Sequence, residues 1–347
     1  HPRRFMPKNQ LHYVVQEPPA VGGCLQVAPG IKWLRLPLPF KLDHINLWLL
    51  KDGAGWTLVD TGMNYDVARQ MWDGPLLAHL DGKPVTRILC THMHPDHMGL
   101  AGYLSPRFKA EVWASLADWS FGRLLARDGG EDFDAVHVDF FRRAGLDSVE
   151  LDMIRERGNS YAKRAMAPPP SFRRLLDRAT IDIDGDGWQL IEGNGHSPEH
   201  MCLFNPNRNI LISGDQILPK ISPIVGVWPQ EPMADPLALY MASLDRFDPL
   251  PDDVLVLPSH GLPFTGLKPR LAQLRSHHDQ RLDETRRAVE TPASARQVLT
   301  VLFPKVKDPN DVVFACTETV AHLHRLMAEG EIRREEAADG TYLYLRN

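Results

Sequence analysis

A chain of 347 residues, with 43% hydrophobic and 24% charged residues and a formal charge of −5, describes an ordinary globular protein. It is long enough for one large catalytic core and a small appendage, and the charge balance calls for neither nucleic acid nor an anionic membrane as partner. No run approaches the roughly 18 uninterrupted apolar residues of a membrane helix, and the first residues lack a secretory pattern, so a soluble cytoplasmic protein is expected. Cys24, Cys90, Cys202 and Cys316 are widely spaced and form no paired metal or redox motif, which reads as four reduced thiols.

Short apolar runs broken by turns predict strands over 31–36, 45–50, 56–59 and 87–90, with a helix over 66–80 between the last two. Further strands are expected over 111–114, 188–192, 201–204, 210–213 and 254–257. Residues 115–178 differ, because Phe133, Val136, Phe140 and Phe141 recur at helical spacing before the Pro168-Pro169-Pro170 run. They read as a helical insertion able to cover a site at the strand ends. A charged helix over 269–290, helices over 294–303 and 311–329, and a hairpin turning at Asp339 and Gly340 give the tail a winged-helix outline. The expected units are therefore a catalytic domain over 1–267 and a C-terminal domain over 268–347.

The chemistry is carried by His92-Met93-His94-Pro95-Asp96-His97, placed directly after an apolar strand. At this composition the HxHxDH string arises by chance in only about two chains of a thousand. Imidazoles suit borderline divalent ions and carboxylates add hard, negatively charged oxygen. A loop at a strand end can aim positions 92 and 94 at one point while the Pro95 turn sends 96 and 97 to another. Two incomplete cation sites then demand further donors, and His196, Asp215 and His260 each follow an apolar run.

Together with Val59-Asp60-Thr61-Gly62, these spaced motifs resemble those of the metallo-β-lactamase superfamily of hydrolases, over roughly residues 33–261. The resemblance implies an α/β fold, a four-layer αββα sandwich, here with a helical insertion and a small winged-helix-like tail. It implies one metal on His92, His94 and His196, a second on Asp96, His97 and His260, Asp215 bridging both, and Asp60 orienting ligands from behind. The aspartate at 215, where antibiotic-degrading members carry cysteine, points to the branch of glyoxalase II, lactonases and RNA-processing nucleases.

Two divalent ions, zinc by default with iron or manganese sharing the donor set, would turn water into the attacking group, with Asp96 and Asp215 passing its proton. A small ester, thioester or lactone is the favoured substrate, because the insertion and residues 217–228 are rich in apolar and proline residues. Trp228 is expected in the pocket wall and Tyr161 as a donor to a substrate oxyanion. No basic cluster that would grip glutathione is evident. His200 is read as a loop brace, and Asp182, Asp184 and Asp186 as a hairpin turn. Phosphodiester cleavage and a non-catalytic binding role are the alternatives. Residues 268–347 carry 13 Lys and Arg against 12 Asp and Glu, a net +1, which favours packing or homodimerisation over nucleic-acid binding.

Overall fold

The computed structural model describes residues 11–347, so the first ten positions of the expected catalytic unit lie outside the described residues. Two seven-stranded sheets face each other. The first runs in chain order: Cys24–Ala28, Ile31–Pro37, His44–Asp52, Gly55–Val59, Val85–Leu89, Glu111–Ala114 and Arg173–Arg174. Its opening strands are antiparallel hairpins, and from Gly55–Val59 onward the neighbours are parallel. That change is forced by Asp66–Asp73 and Ala101–Phe108, helices that carry the chain back across one face.

The second sheet is ordered His12–Tyr13, Phe264–Thr265, Leu255–Pro258, Ile210–Gly214, His200–Asn205, Asp186–Gly193, Thr180–Ile183. Its single parallel pair, Ile210–Gly214 with Leu255–Pro258, is joined through the helix Pro236–Leu244. The two strands of that pair therefore end on the same side, which is where Asp215 and His260 follow.

Trp33, Trp48, Val59 and Leu89 of the first sheet and Trp188, Leu190, Leu203 and Ile212 of the second share one buried cluster between the sheets. The outer face of the first sheet packs Leu34, Leu47 and Ile88 against Trp72 and Leu104, and that of the second packs Leu211 and Val256 against Leu237, Tyr240 and Leu271. Strands buried on both faces explain why several of them read as continuous apolar runs rather than alternating ones. The result is the four-layer αββα sandwich.

The insertion holds three helices, Leu116–Leu125, Glu131–Arg143 and Ser148–Arg157. Phe133 and Phe141 face inward as their spacing predicts, whereas Val136 is exposed. The expected helix over 66–80 is two pieces, because Gly74 leaves helical geometry and Pro75 opens a separate 3-10 turn, Pro75–Leu80. Beyond the helix Leu267–Ala288, Ser294 caps Ala295–Leu302 in a capping box with Gln297, and Pro309–Ala328 leads into a hairpin of Ile332–Glu336 and Tyr342–Arg346. Ala293–Ser294 adds a third short strand to that hairpin. Among the described residues no helix is long and apolar enough to cross a membrane.

Trp188 is 1% exposed at the centre of the inter-sheet core. Trp188→Ala should lower the free energy of unfolding by about 3–5 kcal/mol, read as a shift of the urea midpoint with little change in slope.

Candidate metal centre

Every candidate donor sits just past a strand end. His92, His94, Asp96 and His97 follow Val85–Leu89, His196 follows Asp186–Gly193, Asp215 follows Ile210–Gly214 and His260 follows Leu255–Pro258. Backbone bonds tie these loops across the sandwich: Met201 donates to the Thr91 carbonyl at 2.8 Å and Ser259 to that of Gly214 at 3.1 Å. Seven residues from four loops thus meet in two groups, His92, His94, His196 and Asp215, and Asp96, His97 and His260.

In the first group His92 Nε2, His94 Nδ1 and His196 Nε2 stand 3.0–3.2 Å apart, and Asp215 Oδ2 lies 3.3 Å from His196 Nε2 and 3.9 Å from His92 Nε2. In the second, Asp96 Oδ2 is 3.3 Å from His97 Nε2 and 3.2 Å from His260 Nε2. Asp215 Oδ1 faces those two nitrogens at 3.3 and 3.4 Å. One carboxylate therefore presents an oxygen to each group. Donor separations near 3.3 Å match the edge of a tetrahedron with arms of about 2.0–2.1 Å, the span of zinc–nitrogen and zinc–oxygen bonds.

For three of the rings the far side fixes the tautomer. His196 Nδ1 donates to the Ile224 carbonyl at 2.7 Å and His260 Nδ1 to the His44 carbonyl at 2.8 Å, so each turns a bare Nε2 lone pair to the centre when neutral. His97 Nδ1 donates to Asp60 Oδ2 at 2.8 Å. Asp60 also accepts from the Thr91 amide at 2.7 Å and hydroxyl at 2.8 Å, and holds a positive φ of 63°. That strained backbone is where a residue committed to orienting a ligand is expected. His97 Nε2 and Asp215 Oδ1 are buried and lack hydrogen-bond partners. Imidazole nitrogens and carboxylate oxygens converging at these spacings fit a divalent cation, so the residues present suit such ions.

Electrostatics agree. Burial and the neighbouring imidazoles hold His92 well below the ordinary histidine value and bring His94 to about 3, leaving both neutral and able to ligate. For His97 burial acts downward, yet the Asp96, Asp215 and Asp60 charges outweigh it, and His260 is likewise pushed up to about 10. Burial disfavours ionised Asp96 and Asp215, but the His97 and His260 charges keep both carboxyls below the usual range. Without a metal, protons on these two imidazoles balance the carboxylates.

Several supports escape sequence reasoning. Asp118, at the start of Leu116–Leu125, accepts from the Met93 amide at 2.8 Å and the Glu199 amide at 2.7 Å, joining the 92–97 loop to the His196 loop. Burial lifts its carboxyl to about 6 even though those bonds pull it down. Asn46 donates to the Pro258 and Gly261 carbonyls, both at 2.9 Å, bracing the His260 turn; a polar residue inside the apolar run 45–50 was its signal. His200 Nε2 accepts the Asp215 amide at 3.1 Å, the loop brace expected of it. Gly214, at φ 53°, is required there because a Cβ would lie 2.4 Å from His200 Nε2.

Tyr161 departs from expectation. Its hydroxyl hydrogen goes to the Met93 carbonyl, so it steadies the metal loop and has no hydrogen free for a substrate oxyanion. Trp228 lies in the pocket wall, edge-on to Phe314 at 5.9 Å.

A mixed α/β sandwich with paired histidine–aspartate groups at its strand ends defines the metallo-hydrolase class. The family model described as metallo-beta-lactamase superfamily matches residues 41–260, and that of the metallo-beta-lactamase-like C-terminal domain matches 282–347. The chain belongs to the metallo-beta-lactamase superfamily. It is similar to a beta-lactamase domain protein from Burkholderia ambifaria, with 43% identity, a TM-score of 0.91 and coverage of 97% of this chain and 98% of the other. The probable metallo-hydrolase YqjP of Bacillus subtilis is 27% identical over 321 residues, 86% of this chain and 92% of the relative. The hydroxyacylglutathione hydrolase GloC of Haemophilus influenzae is 22% identical over 175 residues, 50% of this chain and 68% of the relative.

Two outcomes follow from this geometry. A cation entering beside His97 and His260 displaces their protons, so metal binding strengthens as pH rises toward about 10, where His260 becomes neutral by itself. Calorimetric titration of metal-free protein at pH 7, in buffers of different ionisation enthalpy, should show net proton release, and none would contradict the donor assignment. Asp118→Asn leaves one carbonyl oxygen for two amide donors and should weaken metal affinity by roughly 10–100-fold in a chelator competition, with the fold retained by circular dichroism.

Proposed function

We propose that this protein hydrolyses a small carbonyl ester, thioester or lactone with the aid of two divalent cations. The observation that carries this reading is a single pocket of about 340 Å³ with the metal donors His94, Asp96, His196, Asp215 and His260 in its wall and apolar side chains over most of the rest. Leu38, Met63, Phe121, Phe133, Ile221 and Trp228 are among those side chains, and they suit a compact, partly apolar substrate rather than a polyanion.

Cations held by His92, His94, His196 and Asp215 on one side and Asp96, His97, His260 and Asp215 on the other would supply a water of lowered pKa and a counter-charge for the developing oxyanion. Zinc suits this nitrogen and oxygen set, with iron and manganese as the competing identities. The chain's own contribution is orientation. Asp60, the Ile224 carbonyl and the His44 carbonyl lock the rings of His97, His196 and His260. Asp96, whose side chain is 20% exposed against 9% for Asp215, is the carboxylate nearer solvent and is placed to take a proton from the attacking water and pass it on. The insertion and residues 221–228 wall off bulk water, which strengthens every charge interaction inside.

Hydrolysis of a carbonyl substrate is favoured over phosphodiester cleavage by the apolar wall and the net charge of −5, since a nuclease needs a basic track. The name of the relative GloC supports the same preference. A complete donor set argues against a purely binding role. The four free cysteines, three of them buried, fit a reducing compartment such as the cytoplasm, and the C-terminal unit serves packing or homodimerisation.

The test is a panel of thioesters, lactones, carboxylic esters and bis(p-nitrophenyl) phosphate offered to metal-loaded protein. A carbonyl substrate should be turned over preferentially, and Asp215→Ala should reduce kcat/KM at least 100-fold together with loss of bound metal. Preference for the phosphodiester, or full activity in Asp215→Ala, would refute the reading.

A further inference from the structure

Two arginines share the pocket with the metal donors. Arg157 ends the helix Ser148–Arg157 and Arg164 lies on the turn that follows, and both contribute to the wall beside Phe133, Ile154 and Phe314. Neither guanidinium has a carboxylate partner among the described residues, and Arg157 Nη1 is buried without any hydrogen-bond partner. Burial depresses Arg157 to about 10, and the charge that adds to the effect is the like charge of Arg164. Arg157 stands over the Phe314 ring at 5.1 Å and Arg164 over that of Phe40 at 4.7 Å. Aromatic faces stabilise a cation but take none of its conventional hydrogen bonds.

This arrangement is not how the fold treats a structural arginine. Arg270, which is buried where Arg157 and Arg164 are half-buried, donates to the Leu218 and Ile221 carbonyls and to Gln273. Charges drawn out of water are ordinarily paired, because leaving water uncompensated is costly, and a second like charge in the same pocket adds repulsion to that cost. An apolar pocket that nevertheless keeps two unpaired guanidiniums is built to receive an anion.

We propose that Arg157 and Arg164 form an oxyanion-recognising subsite, so that the substrate joins its scissile carbonyl to an apolar body bearing a carboxylate or phosphate group. The assignment rests on the hydrolase reading for the scissile bond, while the anion subsite itself can be read by binding alone. The planar guanidinium fork matches both oxyanions, and the surrounding apolar wall removes the water that would otherwise compete for them. The subsite makes the protein selective for charged members of the ester or thioester class and excludes neutral esters of the same size.

The test is calorimetric titration of metal-loaded, full-length protein with three probes on one apolar scaffold: 4-phenylbutyrate, 4-phenylbutyl phosphate and the neutral 4-phenylbutyramide. At least one anionic probe should bind tenfold or more tightly than the amide, and the one preferred tells carboxylate from phosphate. In Arg157→Gln that preference should fall below threefold, with Arg157→Lys recovering part of it and Arg164→Gln showing a smaller loss; thermal unfolding midpoints verify that each variant is folded. Equal binding of charged and neutral probes by the wild-type protein, or a preference undiminished in a folded Arg157→Gln, overturns the subsite. Retained preference with no turnover of any ester or thioester would refute the hydrolase reading alone, and turnover without preference would refute this inference alone.

Discussion

The structure depends on one carboxylate. Asp215 turns Oδ2 toward His92 and His196 and Oδ1 toward His97 and His260, at 3.3–3.9 Å throughout. It is buried, it stands directly after a core strand, and its two oxygens give the two histidine groups a common vertex. Burying this charge beside Asp96 would be prohibitive without cations near it. Protons on His97 and His260 would meet that need in the bare protein, and divalent ions would meet it while also organising the neutral rings of His92, His94 and His196.

The rest of the molecule fixes where that vertex lies. Two sheets packed through Trp33, Trp48 and Trp188 bring four strand ends to one edge, and the parallel pair in the second sheet puts Asp215 and His260 on adjacent loops. Around them is a set of braces with no role except direction: Asp60 on His97, Asn46 on the His260 turn, His200 on the Asp215 amide, and Asp118 and Tyr161 on the 92–97 loop. The strain at Asp60 and the tight packing at Gly214 show how closely the backbone is held there. The insertion encloses the edge and adds its own charged pair, Arg157 and Arg164, to a mostly apolar wall.

How much of this could be read in the chain depends on whether a residue's role was written locally. The 92–97 string packs four candidate donors into six positions, and 196, 215 and 260 each follow a conspicuous apolar run, so the convergence of all seven residues is legible in the sequence. The doubly buried strands were legible for the same reason. Asp118 is not, because nothing in its neighbours announces the loops it joins, and Asn46, though conspicuous as a polar residue in an apolar run, acts on a turn far away in sequence that the run does not reveal. The helix Pro236–Leu244 was missed because Leu237, Tyr240 and Leu244 face the core while Leu239 is exposed, too short a pattern beside a proline-rich stretch. Tyr161 reads in the sequence as an oxyanion donor because it falls within the insertion, and only geometry shows its hydrogen spent on Met93. Arg157 and Arg164 look like surface charges in the sequence; their lack of partners is visible only in three dimensions.

The proposed sharing of Asp215 by two cations is what this arrangement of loops rests on. Anomalous X-ray diffraction from crystals of the purified protein, collected on either side of the absorption edge of the metal found by elemental analysis, tests it most directly. Two anomalous peaks are expected, one among His92, His94 and His196 and one among Asp96, His97 and His260, each touching a different oxygen of Asp215. A fully active preparation with no anomalous peak at this edge of the sandwich, or with ions bound elsewhere and Asp215 turned away, would contradict it.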